Sequence, residues 1–510
     1  MSADIRQQSV HPPDRRGYHI PVLVVGGGED YGTILEQLEE WRVSTSRARE
    51  GAGFIKRLAF ESQQRFSREQ AAADVRFAVT AYTEPELEKK LSQIQKMIRQ
   101  QPEAAFSFPS VGLFYGRGTP LGRAAFLFPG QGAQYPGMGG PLAEAFPVAG
   151  QVWEELGGTR FNGNTIREIV FPDKIEDDES AQKAFLRLSG ADWTNPCIAV
   201  VGEAVYTLFS KMDFRPDAVA AHSFGDISAF RSAGILSATD MLQTTRYRGE
   251  LGVACPLATR GCILIVPETA ETTSRILEDN RFDDVWIANY NTPRQTVLSG
   301  VKNSIYRAHQ IFEAAGINSQ PLPISAAPHC PLAVDVAKKF YEYLTDLNFR
   351  PARCDVYSFL FGRKVGNDPL LFRKLLKAHV EKPVRFHSQI ERMYQDGIRI
   401  FIEIGPSGIL TRLVGQILAD RPHLALCTDH RKTDAVLVFL NSVADLAKEG
   451  LIRNLDVLAE GYEIPGYGVS PAAQNTMPAG NNGNQTEKRL KKLELEFARI
   501  EQERMPAPAG

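Results

Sequence analysis

Cysteine is scarce. The 510 residues hold six, at 197, 255, 262, 330, 354 and 427, and no CxxC pair. That excludes a disulfide framework and a zinc ribbon, and reads as a reduced, cytosolic complement. An excess of one charge is missing too. The 58 Lys+Arg and 60 Asp+Glu leave a net charge of −2, against the basic surplus of a nucleic-acid-binding protein. No apolar run approaches the ~18 residues of a membrane span. The opening MSADIRQQSVHPPDRR has no hydrophobic segment, so it does not read as a secretory signal. These absences predict a cytoplasmic protein with neither a nucleic-acid nor a membrane partner. What is present is ordinary for a globular chain: 43% hydrophobic and 23% charged residues, enough length for about three structural units.

Residues 1–18 are polar and carry two prolines, as a disordered arm would. From Ile20 the text reads strand, Gly turn, helix, and DVRFAVTAY (74–82) before a charged helix repeats the pattern. Two such units predict a small α+β module. The GGG at 26–28 reads as a plain turn, because no GxGxxG or Walker pattern follows it. Beyond it, AAFLFPG (124–130), DAVAAHS (217–223), CILIVPE (262–268), VWIANYN (285–291), TVLSG (296–300) and RIFIEIG (399–405) are strand candidates separated by helix-length patterns. Alternation of this kind predicts a mainly parallel sheet covered on both faces, with ligands at the carboxyl ends of its strands. Residues 466–485 are rich in Gly, Pro and Asn, as a flexible linker is. Residues 486–510 carry Leu490, Leu493, Phe497 and Ile500 at helical spacing. This amphipathic tail helix fits a frayed end as well as a docking element.

Three motifs carry chemistry. In AVAAHSFGDISAF (218–230) an apolar strand runs through a small-x-Ser-x-Gly turn into a helix, the layout of a nucleophile elbow at Ser223. Alone, it equally fits a structural serine. A serine nucleophile needs a base. His222 is adjacent, so its side chain should point away from that of Ser223. His329, in a proline-bearing loop after a short apolar strand, is the stronger candidate. In FLFPGQGAQYPGMG (126–139) a strand ends in a Gly-rich turn set with Gln131 and Gln134. Glycines allow close backbone approach to a ligand, and the glutamine amides are candidate donors to an oxyanion.

FPGQGAQ, AHSFG, YRGELG (247–252), ANYNTP (288–293), APHCPL (327–332) and RIFIEIGPSGILTRLV (399–414) follow one another in this order. The set resembles the acyltransferase domain of polyketide synthases and the malonyl-CoA:acyl carrier protein transacylase of fatty acid synthesis, over about residues 121–420. Residues 20–115 more loosely resemble the linker between ketosynthase and acyltransferase in modular synthases. The HSFG wording is similar to acyltransferases of polyunsaturated-fatty-acid and enediyne-type synthases.

The resemblance implies an α/β fold. An α/β-hydrolase-like large subdomain (121–257 and 323–425) would carry an inserted ferredoxin-like small subdomain (258–322). A linker-like α+β domain (19–120) would precede them and a C-terminal extension (426–465) would follow. Ser223 would be the acylated nucleophile and His329 its general base and acid. A backbone carbonyl near the GPSG loop (405–408) would orient the imidazole. Gln131 and the Phe224 N–H would line the oxyanion hole. Arg248 would clamp the free carboxylate of a malonyl group, and Asn291, Gly252 and His222 would shape the pocket. No metal or bound cofactor is implied. The substrates would be malonyl-CoA and a phosphopantetheinylated acyl carrier protein, with a ketosynthase or synthase multienzyme as a further partner. The absence of ketosynthase and carrier segments fits a discrete enzyme acting in trans or an excised portion equally.

Several positions depart from the family wording. Ala221 replaces a usual Gly, Asp226 a common Glu, and Gly252 a usual Met. AAPH matches neither the malonyl-type nor the methylmalonyl-type motif before the histidine, so the acyl group stays open. Rival expectations are a proofreading acyl hydrolase, which tends to lack the Arg, and a catalytically silent docking module.

Overall fold

The computed structural model describes residues 20–47, 52–172, 177–255, 261–322 and 327–461. The expected arm (1–18), the linker (466–485) and the tail helix (486–510) lie outside the described residues. Strands β1 (Val22–Gly28), β2 (Val75–Ala81), β3 (Phe106–Phe108) and β4 (Leu113–Arg117) form an antiparallel sheet of order β1-β2-β4-β3. Its outer face packs on Ile34 and Leu38 of one helix and Leu87 and Leu91 of another. Leu23, Val25, Ala78 and Phe114 on the inner face join the main core. Strands buried on both faces need near-continuous apolar runs, as VLVV and VRFAV supply. The GGG at 26–28 is the end of β1 and not a turn. A Cβ on Gly26 would stand 2.5 Å from the Phe77 ring, so glycine there is a packing requirement.

The chain continues through β5 (Arg123–Phe128), a short hairpin of β6 (Arg160–Phe161) and β7 (Asn164–Thr165), and β8 (Ala218–Ala221). Strands β9 (Gly261–Val266), β10 (Val285–Thr292), β11 (Gln295–Val301) and β12 (Gln320–Leu322) come next, with helices Ala270–Asp279 and Lys302–Ala314 between them. They form a separate antiparallel sheet of order β10-β11-β9-β12, the ferredoxin-like arrangement. Three strand candidates from the alternating pattern therefore leave the parallel sheet. Strands β13 (Asp355–Ser358), β14 (Arg363–Lys364), β15 (Ile398–Glu403) and β16 (Leu424–Cys427) complete the large sheet, of order β14-β13-β8-β5-β15-β16. Its pairs are parallel except at β14. Strand β5 is central, and the order reverses on either side of it. Such a switch point opens a crevice at the carboxyl ends of the strands, where the loops after β5, β8 and β15 meet.

A boundary at 425 falls inside β16, and the chain beyond it is not a separate extension. Helix Ala435–Lys448 buries Phe439, Leu440, Val443 and Ala444 in the main core. Thr80 of β2 donates to Asn441 Oδ1 at 2.8 Å, and buried Arg76 donates to the Lys448 carbonyl at 2.9 Å. The C-terminal helix thus ties the N-terminal sheet to the large subdomain.

The pattern VVGEAVYTLFSKM marks only the later part of helix Ala191–Lys211, which runs through Pro196. Proline leaves the carbonyl four residues earlier without its helical donor. That carbonyl, of Asp192, accepts instead from Arg246 Nη1 at 2.6 Å. Among the described residues no helix is long and apolar enough to cross a membrane.

Candidate active site

Strands β5 and β8 are parallel neighbours, with Phe128 opposite Ala221. Their carboxyl-end loops therefore emerge side by side. The His222 N–H donates to the Phe128 carbonyl at 3.0 Å. The chain then turns through Ser223, whose φ of 56° is left-handed. A non-glycine residue there costs about 1–3 kcal/mol and persists only where its surroundings enforce it. Helix Gly225–Ser232 starts at once, which aims its N-terminal dipole end at the hydroxyl. A Cβ on Gly225 would overlap the Phe128 carbonyl oxygen, and one on Gly130 would lie 2.7 Å from the His222 carbonyl oxygen. Both glycines are needed for the two loops to touch. Gly225→Ala is therefore expected to cost about 1–3 kcal/mol through overpacking and to displace the hydroxyl. Thermal melting and acyl loading would both fall, and unchanged values would refute the packing argument.

Ser223 Oγ lies 2.7 Å from His329 Nε2, across a separation of 106 residues. His329 is buried and has a left-handed φ of 61°. Its N–H donates to the Val380 carbonyl at 2.9 Å. Nδ1 donates to the Lys382 carbonyl at 3.1 Å, which fixes the tautomer with the Nε2 lone pair toward the serine. The orienting carbonyl thus comes from the end of helix Pro369–Glu381 and not from the GPSG loop. That loop braces the turn after β5, where Ser407 Oγ donates to the Ala133 carbonyl at 2.6 Å. A helix end concentrates unpaired carbonyls and negative dipole, so it suits the Nδ1–H.

Burial pushes the His329 pKa down to about 3, helped by the positive charge of Arg248 and by His222. Its folded pKa lies below the ordinary value of 6.5. The neutral ring therefore adds stability above that value, and the contribution fades as pH falls from 6.5 toward about 3. The single-turnover loading rate should show no acid limb near 6.5, as read by rapid quench across pH. A midpoint close to the free-imidazole value would overturn this.

Arg248, on helix Ala238–Ala254, is buried. Burial lowers its pKa to about 10, opposed by Asp226, so it stays charged at neutral pH. Its Nε donates to His379 Nε2 at 2.9 Å. The two terminal nitrogens carry no hydrogen bond among the described residues. Burial also pushes the Asp226 carboxyl well above its usual range, with Arg248 pulling the other way. Gly252 sits one turn beyond Arg248, and a Cβ on it would meet nothing within 4 Å.

The glutamines of the turn after β5 are engaged elsewhere. Gln131 Nε2 donates to the Ser189 carbonyl at 3.3 Å, and Gln134 Oε1 accepts from the Gly132 N–H at 2.7 Å. The backbone N–H groups of Phe224 and Gln131 make no hydrogen bond among the described residues. His222 turns away from the serine toward the small subdomain. Asn291 Nδ2 donates to Gln295 Oε1 at 3.0 Å, which leaves Asn291 Oδ1 to accept from His222 Nε2 at 2.9 Å. This pair joins the elbow to β10.

Sequence reasoning missed His379 and the Lys382 carbonyl. Both belong to one helix end, from which Val380 and Lys382 hold His329 while His379 holds Arg248. The signal is HVEKPV (379–384). Pro383 disfavours helical backbone at Lys382, and the helix ends there with its carbonyl accepting from His329 Nδ1.

A family model described as an acyl transferase domain matches residues 125–448. Polyketide synthase GfsA of Streptomyces halstedii is 30% identical over 300 residues, covering 58% of this chain and 4% of that protein. The malonyl CoA-acyl carrier protein transacylase of Bacillus subtilis is 30% identical over 303 residues, 58% of this chain and 91% of the relative. The chain thus spans a small fraction of the synthase and nearly all of the transacylase. Among solved structures, the acyltransferase domain from the second module of the salinomycin polyketide synthase has TM-score 0.63 and 28% identity, covering 82% of this chain and 91% of that one. A malonyl-transacylase in complex with a type II polyketide synthase acyl-carrier protein has TM-score 0.56 and 25% identity, over 62% of this chain and 99% of that one. With more than half of its length matched by that model, the chain belongs to the acyl transferase domain family.

Proposed function

We propose that this chain moves a malonyl group from CoA to the phosphopantetheine thiol of an acyl carrier protein in polyketide or fatty acid synthesis, through an acyl-Ser223 intermediate. The observation that carries the reading is the 2.7 Å contact between Ser223 Oγ and His329 Nε2, with a buried guanidinium beside it.

Ser223 Oγ attacks the thioester carbon while its proton passes to His329 Nε2. Negative charge develops on the carbonyl oxygen, and the Phe224 and Gln131 N–H groups face it. One preorganised donor of this kind is worth roughly 10²–10³ in rate. The intermediate collapses, the C–S bond breaks, and His329 returns the proton to the departing CoA sulfur. The carrier thiol then gives its proton to His329, its sulfur attacks the acyl-serine, and Ser223 leaves with the proton. Both steps are acyl transfers whose protons balance on one imidazole, so neither needs a redox cofactor. Arg248 presents two free N–H-bearing nitrogens to the carboxylate, the bidentate geometry a guanidinium offers and a lysine does not. A carboxylate entering a buried cleft needs such a partner.

The carrier protein is the acceptor, as the names of the transacylase relative and of the solved carrier complex indicate for those proteins. A ketosynthase or synthase multienzyme is the further partner, since other relatives are large synthases. We place the reaction in the cytoplasm, in keeping with six free cysteines. Intact-mass spectrometry after incubation with malonyl-, methylmalonyl- and acetyl-CoA tests the reading. A malonyl adduct that disappears on adding holo carrier protein is expected. An enzyme that hydrolyses acetyl thioesters and never retains malonyl would overturn it in favour of a hydrolase.

A further inference from the structure

Outside the Ser–His pair, the most unusual group of buried polar side chains is Asp226, Arg248 and His379. His379 is fully buried. Its ring stacks on Phe340 and on Phe359, with centroids at 6.0 and 6.4 Å and both planes at 22° to it. Phe359 also meets His329 edge-on at 6.2 Å. A guanidinium only donates hydrogen bonds. The 2.9 Å contact from Arg248 Nε to His379 Nε2 therefore assigns the lone pair to Nε2 and the proton to Nδ1. Nδ1 has no hydrogen-bond partner among the described residues and faces Asp226 Oδ2 at 3.8 Å. A half-turn of the ring about its Cβ–Cγ bond would put Cε1 in place of Nε2 and lose the contact with Arg248.

We propose that His379 is the positioning residue that sets the plane of the Arg248 guanidinium and so determines selectivity for acyl groups ending in a carboxylate. The inference rests on the acyl-transfer reading above and adds a residue to it. Tying down Nε leaves both terminal nitrogens free for a two-point grip. The holder must also be neutral. A carboxylate in its place would pair with Arg248 and compete with the substrate. A neutral imidazole fixes the orientation without setting a competing charge against the guanidinium. The same helix end holds the base, because His379 is followed by Val380 and Lys382, whose carbonyls bind His329. Base and clamp thus share one support.

The test compares wild type, His379→Phe and His379→Gln in single-turnover loading from malonyl-CoA and acetyl-CoA. Phenylalanine keeps the stack and removes the acceptor, whereas glutamine restores an acceptor oxygen. His379→Phe should lower the malonyl-to-acetyl ratio of kcat/KM by about tenfold, the usual scale for a lost charge-assisted hydrogen bond. The change should appear mainly in KM for malonyl-CoA, and His379→Gln should recover most of it. A ratio unchanged in His379→Phe would overturn the inference while leaving the reading intact. A wild type that does not load malonyl at all would remove the reading itself. Nitrogen-15 correlation spectra of histidine-labelled wild-type protein, assigned with His379→Gln, decide the matter if His379→Phe does not fold. An Nδ1–H tautomer at His379 supports the inference, and an Nε2–H tautomer overturns it.

Discussion

Ser223→Ala should abolish acyl-enzyme formation, with transfer to the carrier protein falling on the order of 10⁴-fold or more. In the proposed mechanism the Ser223 oxygen is the atom acylated, so no neighbour substitutes for it. His222 is committed to Asn291, and the Gln131 and Gln134 amides serve the surrounding loop. Removing the hydroxyl leaves His329 Nε2 without its partner but keeps the Lys382 and Val380 contacts that hold the ring. The fold should therefore survive and the melting profile change little. His329→Ala should cost nearly as much, and the double variant should be no worse than either single one. Residues acting as a unit are non-additive in this way. A radiolabelled malonyl adduct retained by Ser223→Ala would place the nucleophile elsewhere. Losses that multiplied in the double variant would mean that the two residues act independently.

The elements visible in the sequence are those whose cause is local. The Ala-x-Ser-x-Gly turn announces itself because a sharp strand-to-helix reversal demands small residues around Ser223. The parallel strands β5, β8 and β15 are apolar runs buried on both faces, which no loop of this composition mimics. Strands β13, β14 and β16 are as short as β8 or shorter and lack the elbow motif that marks it. The GGG at 26–28 misleads for a related reason. Glycine signals a turn when its backbone freedom is what matters, but Gly26 is required by the Phe77 ring packed against β1. Pro196 misleads in the opposite sense, because the helix around it survives once Arg246 takes the released carbonyl. The partner of His329 Nδ1 leaves only the helix stop before Pro383 as its trace in the sequence. It is a backbone carbonyl, and any residue type at 382 would supply it. His379 is harder still. Its role exists only once the fold brings the end of helix Pro369–Glu381 within reach of Arg248, 131 residues away along the chain.

Arg248→Ala should change which acyl group is loaded. Removing one partner of a buried charge pair costs about 2–5 kcal/mol, or roughly 30-fold to 4,000-fold, and the loss should fall on malonyl-CoA. Acetyl-CoA has no carboxylate to place, and a desolvated guanidinium beside its methyl group is unfavourable, so its loading should hold or rise. Arg248→Lys should recover only part of the preference, because an ammonium offers a point charge without the planar fork. A second consequence comes from the base. Arg248 is among the causes that hold His329 down near about 3, after burial itself. Without that charge the imidazole binds a proton more readily, so the acid limb of loading should move to higher pH in Arg248→Ala. In the proposed reaction the malonyl carboxylate would act in the same direction in the wild type. By pairing with Arg248 it offsets the positive field at His329 just when the ring must accept the serine proton. Acid-ended substrate would then gain twice, once in binding and once in the basicity of its catalyst. Parallel pH profiles of single-turnover loading with malonyl- and acetyl-CoA separate the two gains. A variant that lost both substrates equally, with an unmoved acid limb, would show that Arg248 supports the fold and does not read the acyl group.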